Sequence, residues 1–308
     1  MAYTVKTFNL SRKFGDFTAV DKINLTINSG EVCGFLGPNG AGKSTAIRML
    51  CGILKPSSGK AEVLGFDVER ESEKVKPRIG YMSQKFSLYD DLKIVENLDF
   101  YAGIYSIPVR ERKKRIEEMI VLAGIAGGEN VLEASLSPGI KQRLALSCAI
   151  MARPALIFLD EPTSGVSPTA RRQFFNIIQE LAAEGATVIV STHFMDEAER
   201  CDKIAFFHQG RLLALDSPDQ LKKNLDGYLV KLDIPDPFKQ IETLKSLPFV
   251  KECSFHGLSL HLLLNGSDSI KDLQKVTGYK PTRLTPNLED VFINLLHQQD
   301  STERQELP

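Results

Sequence analysis

The sequence has no apolar run that approaches the roughly 20 residues needed to cross a bilayer as a helix. Its longest apolar runs, such as Leu156–Leu159 and Leu258–Leu264, are short and are predicted to be strands. Residues 1–6 also lack the apolar centre of a secretory signal peptide. We therefore expect a chain that does not enter a membrane by itself. If it works on a membrane, another chain must supply the membrane part.

Neither charge is in excess, with 38 Lys and Arg against 39 Asp and Glu in 308 residues. A nucleic-acid-coating protein carries a strong positive excess, so we expect no nucleic-acid partner. The five cysteines are scattered and form no C-x-x-C pair. This usage is typical of reduced, mostly buried thiols in a cytosolic protein.

A glycine-rich segment follows the apolar run Val32–Leu36 and has the spacing G-x-x-x-x-G-K-S. Glycines let the backbone close around phosphates, and the helix predicted over Thr45–Cys51 aims its positive N-terminus at the same anion. Lys43 is placed for the β- and γ-phosphates and the Ser44 hydroxyl for Mg²⁺. The sequence therefore predicts that the chain binds a nucleoside triphosphate. The predicted phosphate-binding residues are Gly37, Pro38, Asn39, Gly40, Ala41, Gly42, Lys43, Ser44 and Thr45.

Hydrophobic periodicity predicts an α/β fold with two domains. Apolar strands separated by amphipathic helices indicate a parallel core sheet covered on both faces. The predicted parts are an antiparallel β region over residues 1–30, a helical subdomain over about 86–150, a β-α-β-α-β run over 155–210, a first domain ending near 220, a small α+β domain over 227–297 and a disordered tail over 298–308.

Two carboxylates end the apolar strand Ala155–Leu159. Burying a strand up to a paired acidic end is costly unless the acids meet a cation or water. Asp160 suits the coordination shell of Mg²⁺, and Glu161 is placed to orient and deprotonate an attacking water. The alternative is that both acids cap the next helix.

A second strand, Val188–Val190, ends in Ser191, Thr192 and His193. The carboxyl edge of a parallel sheet is where such sheets bind ligands, so His193 is predicted to contact the γ-phosphate. A lone surface histidine is the alternative. Gln84, after the strand-like Ile79–Ser83, is unremarkable by itself.

The order of these motifs resembles that of ATP-binding cassette (ABC) proteins. The motifs, in the order of the chain, are the phosphate loop, Gln84, the segment Leu136–Arg143, the run Asp160–Gly165 and the Ser-Thr-His triplet. Residues 1 to about 220 resemble the nucleotide-binding subunit of an ABC transporter throughout. Leu288–Ile293 is similar to the accessory C-terminal segment of type-2 (ABC-2) exporter subunits.

This resemblance implies a P-loop NTPase fold of the ABC type and a pair of cassettes, identical or different, that hold ATP between them. Ser137 and Gly139 of one chain would then contact the γ-phosphate held by the other chain. Gln84 and His193 would sense that phosphate, and Gln84 would join Ser44 and Asp160 around Mg²⁺. Phe14 stands where an aromatic residue stacks on adenine, the alternative being a core phenylalanine.

The resemblance also implies a separate membrane permease as partner. Residues 85–107, including Phe86, Leu88 and Tyr89, would receive a cytoplasmic helix of that permease. The alternative is an ordinary amphipathic helical subdomain. The implied location is the cytoplasmic face of the inner membrane, reached through the permease.

Two positions depart from the family pattern. The family's Leu-Ser-Gly-Gly is here Leu136-Ser137-Pro138-Gly139, and its aspartate after Ser-Gly-Leu is here Ser167. Proline is tolerated in the first turn of a helix, although it removes a backbone donor. The missing aspartate is expected to weaken communication between the two sites or to slow turnover.

The predicted function is the ATPase subunit of an ABC-2 exporter for a hydrophobic or amphiphilic compound, with multidrug efflux as one possibility. The alternatives are a soluble ABC ATPase, an importer subunit and a low-turnover regulatory switch. For the C-terminal domain, dimer stabilisation and partner docking both fit.

Overall fold

The structure, a computed structural model, describes residues 3–85 and 88–306, with side chains as far as Gln299. Phe86, named above as part of a partner-binding face, lies outside the described residues. The chain divides into two compact units, Met1–Pro218 and Asp219–Pro308.

The first unit alternates strands and helices. Its described strands are β1 (Tyr3–Phe14), β2 (Phe17–Ile23), β3 (Thr26–Asn28), β4 (Val32–Leu36), β5 (Ser58–Val63), β6 (Phe66–Asp67), β7 (Ile79–Met82), β8 (Leu156–Asp160), β9 (Thr187–Thr192), β10 (Lys203–His208) and β11 (Arg211–Asp216). Its described α-helices are α1 (Lys43–Leu50), α2 (Ser72–Val75), α3 (Ile94–Ile104), α4 (Val109–Ala123), α5 (Pro138–Ala149), α6 (Pro168–Ala183) and α7 (Met195–Ala198).

The core of this unit is a sheet in the order β11-β10-β4-β9-β8-β7. The strands from β10 to β7 are parallel, and β11 is antiparallel to β10. Every residue of β4, β8 and β9 is buried, as expected for parallel strands covered on both faces. The predicted parallel core is confirmed.

An antiparallel sheet in the order β2-β1-β5-β6, with β3 paired to β1, forms the predicted N-terminal β region. Helix α1 packs between this sheet and the parallel sheet. Its buried Ile47 and Leu50 share one hydrophobic cluster with Val5 of β1 and Phe35 of β4. The helix that begins at the phosphate loop is therefore fixed on both sides.

Helices α3, α4 and α5 form the predicted helical subdomain around a cluster that includes Leu98, Met119 and Leu144. Local signals set their ends. The side chain of Glu96 accepts from the backbone N–H of Lys93 at the start of α3. Gly124, with φ of +66°, ends α4, and Pro138 occupies the first turn of α5.

The second unit is the predicted small α+β domain. Its described elements are α8 (Pro218–Lys223), β12 (Tyr228–Leu232), α9 (Pro237–Lys245), β13 (Val250–His256), β14 (Ser259–Leu264), α10 (Ser269–Thr277), β15 (Thr282–Arg283) and α11 (Leu288–Glu306). The strands pair in the order β13-β14-β12-β15. One face of this sheet carries Leu260, Leu262 and Leu264, which pack with Ile241 of α9 and Leu273 of α10.

The sequence predicts a disordered tail over residues 298–308, whereas the described backbone continues α11 as far as Glu306. The polar composition of this segment suggested disorder. Glutamine, glutamate and arginine nevertheless favour helix, and they extend a helix that Leu288 and Val291 already anchor in the buried part of the unit.

Candidate nucleotide site

Three strand ends meet at one edge of the parallel sheet. In the strand register, Leu36 at the end of β4 lies beside Thr192 at the end of β9. Asp160 at the end of β8 lies beside Ser191. The phosphate loop, the paired acids and the histidine triplet therefore leave the sheet as neighbours, although more than a hundred residues separate the first from the second.

The phosphate loop depends on glycine at two positions. A Cβ on Gly37 would lie 2.2 Å from the carbonyl oxygen of Phe207. Gly42 has φ of +100°, and a Cβ there would lie 2.5 Å from the carbonyl oxygen of Ala19. Any larger side chain would displace backbone at both places, so the tight loop requires glycine.

Lys43 lies inside this loop and is almost fully buried, with 3 % exposure. Its Nζ donates to the carbonyl oxygens of Gly37 at 2.7 Å and Pro38 at 2.9 Å. Burial lowers the pKa of Lys43, and the nearby Glu161, with Oε1 3.6 Å from Nζ, opposes that shift. The loop thus surrounds a positive charge of the kind that a phosphate group requires.

Oxygen donors for a metal ion meet beside the loop. Ser44 Oγ donates to Asp160 Oδ1 at 2.7 Å, and Ser191 Oγ donates to the same oxygen at 2.8 Å. The second oxygen, Asp160 Oδ2, is buried and has no hydrogen-bond partner. Hydroxyl and carboxylate oxygens suit Mg²⁺, and the unpartnered oxygen provides a free ligand. These residues therefore fit the predicted metal.

Glu161 contacts two other predicted site residues, Lys43 and Gln84. Its Oε1 faces Lys43, and its Oε2 accepts from Gln84 Nε2 at 3.2 Å. Its backbone N–H donates to Ser191 Oγ at 2.9 Å, and its φ of +49° is uncommon for a residue with a side chain. Backbone strain of this kind is found at functional sites, where the surrounding structure holds it in place. The structure therefore brings Gln84, Lys43 and Glu161 together.

His193 is exposed directly after β9, and its ring packs on that of Phe194 with centroids 4.1 Å apart. A bridge of three buried residues lies behind it. Glu197 accepts from Thr163 Oγ1 at 2.6 Å and from Thr192 Oγ1 at 2.5 Å. This bridge joins the loop after Glu161 to the end of the strand that carries His193.

The sequence interpretation gave Glu197 no role, and it gave none to Arg171. The guanidinium of Arg171 lies 3.8 Å from the ring centroid of Phe194, and its Nη1 lies 3.8 Å from Glu197 Oε1. The only signal for Glu197 was an acid four residues after His193, among two other acids at Asp196 and Glu199.

Ser137 and Gly139 lie at the start of α5. Ser137 is the N-cap, and a Cβ on Gly139 would lie 2.9 Å from Ala170 Cβ of α6. Ser167 caps α6, its Oγ accepting from the Ala170 N–H at 3.4 Å. The contacts described for Ser137 and Gly139 thus lie along α5 and α6. They do not join the group around Lys43 and Glu161.

Phe14 is 47 % exposed and follows Arg12, whose guanidinium lies 4.5 Å from the ring centroid. It is therefore not a core phenylalanine. Its ring is available for stacking, and the adenine-binding role stays a prediction.

Comparison with known proteins identifies the class. Residues 20–164 match the ABC transporter family. Over 301 residues the chain is 33 % identical to the linearmycin resistance ATP-binding protein LnrL of Bacillus subtilis, covering 93 % of this chain and 96 % of LnrL. The chain belongs to the ABC transporter family of ATP-binding proteins, as the motif order predicted.

Other relatives carry names from drug transport and export. The chain is 47 % identical over 218 residues to the probable multidrug ABC transporter ATP-binding protein YbhF of Escherichia coli, covering 71 % of this chain and 38 % of YbhF. It therefore spans less than half of that relative's length. It is 33 % identical to the Nod factor export ATP-binding protein I of Sinorhizobium fredii, covering 94 % of this chain and 85 % of that protein.

Solved structures agree with the fold. CbiO1 of Clostridium perfringens, part of an ABC transporter complex, aligns with a TM-score of 0.67 and 29 % identity, covering 73 % of this chain and 92 % of CbiO1. The cassette MJ0796, a dimer bound to ADP and phosphate, aligns with a TM-score of 0.63 and 26 % identity, covering 69 % of this chain and 98 % of that one. The predicted ABC ATPase fold is confirmed.

Proposed function

We propose that this chain is the ATP-hydrolysing subunit of an ABC exporter for a hydrophobic or amphiphilic compound. The main support is the convergence of Lys43, Ser44, Asp160, Glu161 and Gln84 at one edge of the sheet. The names of the relatives, which include multidrug transport, linearmycin resistance and Nod factor export, favour export.

Each residue at this edge has a role that its contacts allow. The phosphate loop and Lys43 hold the β- and γ-phosphates, and Ser44, Asp160 and Gln84 hold Mg²⁺. When bound, the metal ion neutralises charge on the phosphate oxygens. Glu161 orients the attacking water and accepts a proton from it. His193 contacts the γ-phosphate from the neighbouring strand.

A second cassette completes the site in this proposal. Ser137 and the N–H of Gly139 open helix α5 and suit an anion, yet their described contacts are with their own helix and α6. Two chains arranged head to tail would bring these groups to the phosphate loop of the partner. ATP would then stabilise the closed pair, and hydrolysis would release it.

The proposed permease-binding face lies on the helical subdomain, within residues 88–107 of the described chain. Tyr89, Phe100 and Ile104 are 43 %, 40 % and 57 % exposed. Asn97 is fully buried and fixes the loop before α3, because its Oδ1 accepts from the N–H of Tyr89 at 2.9 Å and its Nδ2 donates to the Tyr89 carbonyl at 3.0 Å. The apolar side chains are thus presented on a rigid support. Among the described residues, no helix has both the length and the apolar character needed to cross a bilayer.

The test is purification of the Glu161→Gln protein from native membranes in mild detergent with ATP. We expect a polytopic membrane protein in fixed stoichiometry, because the variant should bind ATP without hydrolysing it. Lys43→Ala is the control that should not bind ATP. Recovery of ribosomes, of nucleic acid or of no partner would overturn the exporter proposal.

The face is tested in the same purification. Ile104→Glu should lose the membrane partner while keeping ATP binding. Val276→Glu is a matched control, since Val276 in the second unit is also apolar and 57 % exposed. Equal recovery with both variants would show that the face is wrongly assigned.

A further inference from the structure

A partly buried polar cluster lies in the second unit, on the sheet face opposite Leu260, Leu262 and Leu264. His261 alternates with those leucines along β14, and His256 lies on the neighbouring strand β13, where Ser254 pairs with His261. Both histidines face Asp290 in the first turn of α11. The sheet and this helix therefore meet through ionisable groups, where apolar side chains would be the usual choice.

The three side chains converge within the dimensions of a metal site. Asp290 Oδ1 lies 3.1 Å from His261 Nδ1 and 3.7 Å from His256 Nε2. The three donor atoms all lie within 4.8 Å of one another. Donors on a tetrahedral Zn²⁺ with bonds of about 2.1 Å are about 3.4 Å apart. The observed spacings bracket this value.

Asp290 is fixed in this orientation by the helix cap. Its Oδ2 accepts from the N–H of Asn287 at 2.9 Å, while its own N–H donates to Asn287 Oδ1 at 2.9 Å. This reciprocal pair is a capping box. It occupies one carboxylate oxygen and leaves Oδ1 directed at the histidines, as supporting hydrogen bonds do for metal-binding carboxylates.

Two further observations favour a cation here. His256 Nε2 is buried without a hydrogen-bond partner. Glu252, 8 % exposed, and Asp290, 6 % exposed, are two carboxylates in the same layer, and Glu252, His261 and Asp290 line a cavity of about 10 Å³. Glu252 already faces His297 Nδ1 at 3.7 Å, so the buried carboxylate that favours a nearby cation is that of Asp290.

The imidazole rings restrict how an ion enters. They are stacked with centroids 3.7 Å apart and planes 11° apart. Lone pairs in two parallel planes cannot meet on one ion, so binding requires the rings to tilt apart. The χ2 torsion of histidine is broad, and a tilt is therefore accessible without a change of backbone.

We propose that His256, His261 and Asp290 bind one divalent transition-metal ion, with Zn²⁺ the best match. Two imidazoles and a carboxylate are ligands that Zn²⁺ accepts, and a water supplies the fourth position. The ion would tie α11 to the β13–β14 hairpin. It would stabilise the second unit, independently of ATP binding at the first.

The test is a titration of the purified full-length protein, stripped with chelator and free of nucleotide, with Zn²⁺ in a calorimeter and with Co²⁺ in a spectrophotometer. We expect one ion per chain, a Co²⁺ absorption band typical of tetrahedral geometry and a higher unfolding temperature. The five cysteines are buried, which limits competition from thiols.

Conservative variants assign the ligands. His261→Gln and His256→Gln should each weaken Zn²⁺ binding at least tenfold, and His208→Gln in the first unit should leave it unchanged. His256 is the more exposed of the two, with 18 % of its side chain accessible against 13 % for His261, so its variant should fold even if His261→Gln does not.

The proposal fails if the protein binds no Zn²⁺ at tens of micromolar, or if both variants bind as the wild type does. It also fails if the cluster responds to protons alone. In that case stability would change with pH identically with and without Zn²⁺.

Discussion

The buried bridge through Glu197 predicts that a residue outside the nucleotide site controls hydrolysis. Its carboxylate is 3 % exposed and accepts hydrogen bonds from Thr163 and Thr192. A buried polar group left without its hydrogen-bond partner costs about 1–3 kcal/mol. Glu197→Gln keeps the shape, but the amide nitrogen cannot accept a hydrogen bond, so one of the two threonine hydroxyls loses its acceptor. We expect a loss of about 1–3 kcal/mol in stability.

The same change should lower the hydrolysis rate. The bridge holds the loop after Glu161 against the strand that presents His193, so loosening it should misplace both groups. If about 1.4 kcal/mol of the loss falls on the transition state, kcat falls about tenfold. The KM for ATP should change little, because the contacts of Lys43 are untouched. A steady-state ATPase assay and a thermal melt measure the two effects.

The control is Glu199→Gln, an exposed acid directly after the same short helix. It should match the wild type in both assays. If Glu197→Gln keeps wild-type kcat and unfolding temperature, the bridge does not position the catalytic loops. If its KM rises tenfold at constant kcat, the residue acts on ATP binding instead, and the reasoning is again refuted.

The pH dependence of stability gives a second readout of this residue. Burial raises the pKa of Glu197, against the lowering effect of its two hydroxyl donors. The folded state therefore binds the proton more tightly than the unfolded state does. This contribution is complete below the unfolded pKa and is lost as pH rises through the folded pKa. The stability advantage of the wild type over Glu197→Gln should shrink across that interval.

The remaining predictions concern the phosphate loop, the stacking of adenine on Phe14 and the departure from the family pattern at Ser167. Gly42→Ala should abolish measurable ATP binding through its clash 2.5 Å from a carbonyl oxygen, whereas Gly40→Ala, with φ of +80° but open space, should cost far less. Phe14→Ala should weaken ATP binding up to about tenfold by loss of stacking, and Phe17→Ala should not. Ser167→Asp should raise kcat. Equal ATP binding by the two glycine variants would contradict the first prediction, and equal ATP binding by the two phenylalanine variants would contradict the second. An unchanged kcat in Ser167→Asp would contradict the third.

Much of the first unit was predictable because its signals are local. Strands β4, β8 and β9 are continuous apolar runs that stop abruptly at polar residues, and this pattern indicates both burial and the functional edge of the sheet. The spacing of the glycines likewise predicts the phosphate loop from a local pattern. Helix α5 begins at Pro138, in agreement with the expectation that proline is tolerated in the first turn of a helix.

The parts that were missed depend on packing between distant residues. The sequence does not distinguish Glu197 from its acidic neighbours Asp196 and Glu199. Only the fold shows which of the three is buried. His261 and Asp290 lie 29 positions apart and meet because the β14 register and the cap of α11 turn both inward. No local pattern marks such residues, because their neighbours in sequence differ from their neighbours in space.

Gly139 lies where helix α5 packs against helix α6. A Cβ there would lie 2.9 Å from Ala170 Cβ, so the glycine lets α5 pack closely against the first turn of α6. Ser167 caps that same turn. The helix that would present Ser137 to a partner's phosphate is therefore packed against the segment in which Ser167 replaces the family's aspartate. A change at Ser167 can thus alter the contact with the partner site through α5 as well as directly. Gly139→Ala should disturb the same packing, lowering ATP-dependent dimerisation while leaving the binding of ATP to a single chain intact.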